Sequence, residues 1–143
     1  MRSYFLNVDV EIQSSSKLDV LAAAMGKRVI VLHSGPGSAR RHLLAIESSR
    51  EHKGPDATIH ALCAVVESLP PPARRIWNTS RREFDVGYEL RASEQSSRFS
   101  LRPDTLERIA KLGAILTVTY YRGETTMPSC AVSDLRLKRG TSP

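Results

Sequence analysis

The sequence predicts an α+β domain: a mixed, mainly antiparallel sheet of about six strands with helices packed on one face. Three observations carry this. Strand segments alternate, as where Phe84, Val86, Tyr88 and Leu90 interleave with Glu83, Asp85, Gly87 and Glu89, the pattern of a sheet covered on one side. Helical segments are apolar on one face only. Strand, helix, strand units bracket the chain at Tyr4 to Leu32 and at Phe99 to Tyr121, with a helix and the Phe84 strand between them. The order also admits a ferredoxin-like βαββαβ arrangement with an added strand, helix and strand.

Taken in order, Tyr4 to Ile12 alternates around Asn7, Asp9 and Glu11 and reads as a half-buried strand. Ser16 with Asp19 can cap a short helix whose apolar side is Leu18, Leu21, Ala22 and Met25, ended by Gly26. Val29 to Leu32 is a continuous apolar run, which predicts a short buried strand. After the loop at Ser34 to Ser38, Arg41 to Ser48 reads as a third strand, so the two runs can form a hairpin. Asp56 or Thr58 can cap a helix with Ile59, Leu62, Cys63, Val66 and Leu69 on its apolar face, and three prolines at 70 to 72 end it. Pro72 can start a short helix through Trp77, whose indole is expected to pack while Arg74 and Arg75 stay in water. A polar turn at Arg91 to Ser96 joins the Phe84 strand to a strand at Phe99, as an antiparallel hairpin. The last unit has the clearest punctuation. Pro103 suits a first helical turn, Asp104 and Glu107 read as a capping box, Leu106, Ile109, Ala110 and Leu112 mark one face, Gly113 stops the helix, and Leu116, Val118 and Tyr120 alternate in a strand.

The 143 residues suit one domain over 1–122, followed by a weakly ordered basic tail over 123–143 in which Ala131 to Leu137 could pair with a sheet edge. Hydrophobic content of 41% and charged content of 25% are ordinary for a globular chain, and no apolar run is long enough to span a bilayer. Asp9 and Glu11 interrupt any signal-peptide core, and two cysteines make no disulfide framework, so the expected compartment is the cytoplasm. The net charge of +6 is uneven, with 8 basic and 7 acidic residues in 1–72 and 13 and 8 in 73–143. Such an excess aids solubility and attracts polyanions weakly.

Candidate chemistry is sparse. Gly35, Gly37 and Ser38 with Arg40 and Arg41 could hold an anion, although the loop opens no helix and lacks phosphate-loop spacing. His60 and Cys63 offer two zinc ligands where three or four are needed, so no metal or cofactor is expected. His33 beside Ser34 has no carboxylate to orient it, and Glu83, Asp85 and Glu89 read as solvated charges on the wet face of a sheet. Arg74, Arg75, Arg81 and Arg82 flank Trp77, a combination able to contact phosphates and stack on an unpaired base of single-stranded RNA.

The run L-x-P-x-x-L-x-R-I-A-x-L-G-A-x-L-x-V-x-x-Y, Leu101 to Tyr121, resembles the C-terminal signature of a family of small bacterial proteins classed as a domain of unknown function. The similarity extends more faintly to the N-terminal strand, the glycine-containing loop and the helix ending at Pro70; this chain departs in lacking a tryptophan near Ala45 and in its basic tail. The resemblance implies a fold and a bacterial source and carries no catalytic residues. The functional expectation is a non-enzymatic cytoplasmic domain that binds a protein partner or itself through a sheet edge, without membrane association. Weak single-stranded RNA binding through the Arg/Trp segment is the alternative, and anion binding at Gly35 to Gly37 the third.

Overall fold

The computed structural model of the protein describes residues 4–91, 96 and 98–122. Strand β1 (Tyr4–Ser14) lies at the centre, because its alternation gives one apolar face, Val8, Val10 and Ile12, for a helical layer to cover. The chain continues through α1 (Asp19–Met25), β2 (Val29–Pro36), β3 (His42–Ser48), α2 (Gly54–Glu67), α3 (Pro71–Thr79), β4 (Arg81–Leu90), α4 (Pro103–Lys111) and β5 (Ile115–Arg122). Among the described residues the sheet has five strands in the order β2-β3-β1-β4-β5. Pairing is antiparallel at β2–β3, β3–β1 and β1–β4, and parallel at β4–β5. The sheet is therefore mixed and mainly antiparallel, as expected, with one strand fewer.

The missing strand is the one expected at Phe99. Residues 98–102 are irregular, and β4 gives its free side to β5, from Glu83↔Ile115 to Leu90↔Arg122. Three alternating residues before a proline cannot compete with an eight-residue β-branched partner, and the chain between β4 and β5 is long enough for a parallel crossover. Phe99 instead packs edge-to-face on Tyr88, with ring centroids 5.6 Å apart, while the Tyr88 hydroxyl donates to the Arg98 carbonyl at 3.0 Å. The turn expected at Arg91 to Ser96 and the tail pairing at Ala131 to Leu137 lie wholly or partly outside the described residues.

The expected side-chain caps are not made, and at α4 a tertiary contact takes their place. Neither Ser16 nor Asp104 caps its helix through a side chain. At α4, Asp56 of α2 reaches across to accept the Arg102 amide at 3.0 Å and the Thr105 hydroxyl at 2.5 Å. Burial alone would raise the Asp56 carboxyl, but the hydrogen bonds from Thr105 and Arg102 and the nearby Arg102 and His60 charges hold it below its ordinary range. The buried face of α4 is Thr105, Ile109 and Leu112, whereas Leu106 and Ala110 are exposed, one helical step round from the expected stripe.

Gly113 ends α4 as expected, at φ +67°, in a Schellman arrangement: its amide donates to the Ala110 carbonyl at 3.0 Å and the Ala114 amide to the Ile109 carbonyl at 3.2 Å. A Cβ there would lie 2.6 Å from Arg82 Nη2, which itself donates to the Gly113 carbonyl at 2.8 Å. Gly113→Ala is expected to cost about 1 to 2 kcal/mol in chemical denaturation, from the left-handed backbone and displacement of the guanidinium.

Helices cover one sheet face, and the core between comprises Val8, Val10, Ile12, Leu44, Ile46, Phe84 and Val86 from the strands against Leu21, Met25, Ile59, Leu62, Cys63, Val66 and Trp77. The other face is half-buried and acidic. The register sets Asp9 between Glu47 and Asp85, and Glu11 opposite Glu83. Glu47 accepts from Asn7, Glu83 from Thr117 and Asp85 from Thr119. Burial, then Glu47, Asp85 and Glu11, push the Asp9 carboxyl from 3.8 to about 6. Between those values the folded state binds more protons than the unfolded chain, so stability falls as pH rises through that window, and the loss is complete above it. Because Asp9 is partly solvated, we discount the shift to about 1 kcal/mol. Asp9→Asn is expected to raise stability at pH 7 by about that amount and to flatten the decline between about pH 4 and 6; no gain would contradict the crowding of these carboxylates.

Candidate functional site

The expected buried strand Val29 to Leu32 is the strand the structure leaves most open. A continuous apolar run ordinarily means cover on both faces, yet only Val29 is buried, and Ile30, Val31 and Leu32 are 47%, 46% and 48% exposed. The cause is position. Among the described residues strand β2 is the sheet edge, with no strand on its outer side, and Val31, although on the helix-facing side opposite buried Ile46, lies beyond the reach of the described helices. The register shifts between Val31 and His33, and Pro36 closes the strand, but no charged side chain blunts it.

Both ends of this edge are basic. Lys27 and Arg28 precede it in the turn after α1, and Arg40 and Arg41 follow it in the hairpin to β3. Arg28 is fixed by Nε to the Met25 carbonyl at 3.3 Å, Nη2 to the Ala24 carbonyl at 3.3 Å and Nη1 to Ser68 Oγ. Among the described residues none of the four cations has a carboxylate within ion-pair distance.

The Gly35 to Arg41 segment forms the expected hairpin, and in doing so it spends the amides an anion would need. The Gly37 amide donates to the Arg41 carbonyl at 2.7 Å and the Arg41 amide to the Ser38 carbonyl at 3.1 Å. Ala39 and Arg40 both take positive φ, 54° and 59°, to make the turn. Gly35 belongs to the β2–β3 ladder, leaving the Ser38 hydroxyl and the two guanidiniums as surface groups.

The Arg/Trp segment is likewise structural in part. Trp77 is fully enclosed, donates Nε1–H to the Leu112 carbonyl at 3.0 Å and stands edge-on to Phe84, so it presents no face to a base. Arg82 lies over its ring and donates to the Trp77 carbonyl at 2.7 Å, while Arg74 donates to Asn78 Oδ1 and the Val66 carbonyl. Arg81 pairs with Glu83 at 3.1 Å, and Arg75 is exposed. The cations remain on the surface without the stacking platform that gave single-stranded RNA its rationale.

His60 and Cys63 do not converge on a metal. Thr105 gives its proton to Asp56, so it accepts from His60 Nε2 at 2.8 Å, tying α2 to α4. Cys63 is buried, and burial pushes its thiol up to about 11. His33 Nε2 lies 3.2 Å from the Pro36 carbonyl. Glu83, Asp85 and Glu89 line the acidic face, Glu89 also facing Arg91 at 3.6 Å. Among the described residues no group of three or more His, Cys, Asp or Glu could hold a metal ion, and no helix is long and apolar enough to cross a membrane.

Sequence reasoning overlooked one further cluster. Lys27 and Arg28 meet Arg50 and His52 of the β3–α2 connection around a concavity against α2. These residues are more than twenty positions apart in the chain, and only the docking of α2 beside the start of β2 brings them together. No family model, curated protein or solved structure matches the chain.

Proposed function

We propose that the protein is a non-enzymatic interaction domain, cytoplasmic as its composition suggests and bacterial as the resemblance implies, that takes an extended segment of a protein partner as an added strand along β2. The observation supporting this is the uncharged edge strand with three exposed apolar residues in succession. Main-chain pairing would supply affinity, and Ile30, Val31 and Leu32 would set side-chain preference on the two faces. The chain's own sheet order, β2-β3-β1-β4, also supports the ferredoxin-like reading of the βαββαβ portion, to which α3, α4 and β5 are additions.

Charge selects the occupant. An antiparallel second copy of β2 would set Lys27 and Arg28 of one molecule against the hairpin carrying Arg40 and Arg41 of the other, like charge on like charge at both ends. A different chain with a β-branched centre and acidic flanks meets no such penalty. In fluorescence anisotropy, a Val/Thr-alternating peptide with Asp and Glu at both ends is expected to bind at least about tenfold tighter than its Lys-flanked counterpart, with affinity falling as salt rises. Ile30→Lys is expected to weaken it by a similar factor. Equal affinity for the two peptides, or indifference to Ile30→Lys, would overturn the proposal.

A further inference from the structure

The concavity beside the start of β2 has a volume of about 610 Å³, within the range of small-molecule sites. Its floor is the outer side of α2, where Ala61, Ala64 and Val65 leave a shallow apolar surface. Its rim is cationic: Lys27 and Arg28 on one side, Arg50 on the other, with His52 between Arg50 and the helix in chain order. None of the described lining residues is acidic. Two features go beyond a solvated basic surface. Arg28 is held in place by the two α1 carbonyls and Ser68, so its charge is preorganised. Ser48 Oγ accepts the Arg50 amide at 3.3 Å and lies 3.2 Å from His52 Nε2, which fixes the loop carrying the opposite rim.

We propose that this concavity binds a small amphipathic anion, a phosphate or carboxylate head on a short aromatic or aliphatic body. The head would lie between Lys27, Arg28 and Arg50, where charge-assisted hydrogen bonds have no internal carboxylate to compete with. The body would cover Ala61, Ala64 and Val65. Apolar floor and cationic rim together define the class: inorganic phosphate would lack the first contact and a neutral aromatic the second. The site shares Lys27 and Arg28 with the basic end of the β2 edge but makes no use of Ile30, Val31 or Leu32, so a substitution at Ile30 separates it from partner binding along β2.

Amide chemical-shift titration of the full chain tests this with four probes: phenyl phosphate, benzoate, inorganic phosphate and benzyl alcohol. Phenyl phosphate or benzoate is expected to give saturable shifts confined to residues 27–28, 48–52 and 61–68 and to bind at least about tenfold tighter than either control, the better of the two identifying the head. Lys27→Glu with Arg50→Glu should reduce that affinity at least about tenfold. Ala64→Phe, which fills the floor without touching a charge, should do the same, while Ile30→Lys should leave it within about twofold. Shifts located elsewhere, binding no tighter than the controls, or indifference to both the charge reversal and the floor substitution would overturn the proposal.

Discussion

Trp77→Ala is expected to destabilise the protein by about 3 to 5 kcal/mol, the largest loss from any single truncation described for this chain. The indole is completely enclosed, stands at 76° to the Phe84 ring with centroids 6.5 Å apart, and is the donor to the Leu112 carbonyl at the end of α4. Truncation would open a cavity where α3 meets β4 and strand that carbonyl in apolar surroundings. Trp77→Phe separates the two effects: most of the volume stays, the N–H goes, and the cost should fall to about 1 to 3 kcal/mol. Urea unfolding followed by circular dichroism checks both. A loss under about 1 kcal/mol for Trp77→Ala would mean that the ring is not the bridge between α3, β4 and α4 described above.

Ile109→Ala is expected to cost about 2 to 5 kcal/mol, whereas Lys111→Ala, two residues on, should stay within about 0.5 kcal/mol. Ile109 is 3% exposed and packs into the core, while Lys111 is a surface residue paired with Glu107 at 3.0 Å. The contrast bears on the face of α4: Leu106→Ala, truncating a residue 45% exposed, should cost much less than Ile109→Ala. Equal losses at positions 106 and 109 would restore the broader stripe that periodicity alone suggests.

That comparison shows where the sequence was legible. Strand β4 and helix α2 follow from periodicity because each has one covered face, whereas the apolar alternation of β1 is covered only from Val8 to Ile12, beyond the register shift at Phe5 to Asn7, and that of β5 only partly at Leu116 and Val118. The cap of α4 was not legible, since its acceptor, Asp56, comes from a helix forty-six residues earlier. Nor was the loss of the Phe99 strand, because alternation cannot say whether β4 will pair with a neighbour in sequence or with β5 across a helix. Trp77 among four arginines admits both a packed indole and a nucleic-acid surface, and what makes the ring core, the Leu112 carbonyl arriving from α4, has no local signal. The cationic concavity combines residues from three segments and carries no local motif at all.

Most informative is β2. Its residues ask for cover on both faces, while its place in the sheet supplies cover only to Val29. A conflict between what a segment's composition requires and what its fold provides is expected at functional or strained sites, and it is this conflict that supports the proposed strand addition at β2. The acidic crowding around Asp9, on the half-buried face of the same sheet, is a second local conflict, and it costs stability at neutral pH.

Hydrogen exchange of individual backbone amides, with and without the acidic-flanked Val/Thr peptide, tests strand addition most directly. An added strand must hydrogen-bond to the amides of β2 that point away from β3, and to no other set. The account predicts slowed exchange at alternating positions between Val29 and Pro36 when the peptide is bound, with the β5 edge unchanged. Protection on β5 instead, or bound peptide with no protection along β2, would contradict it.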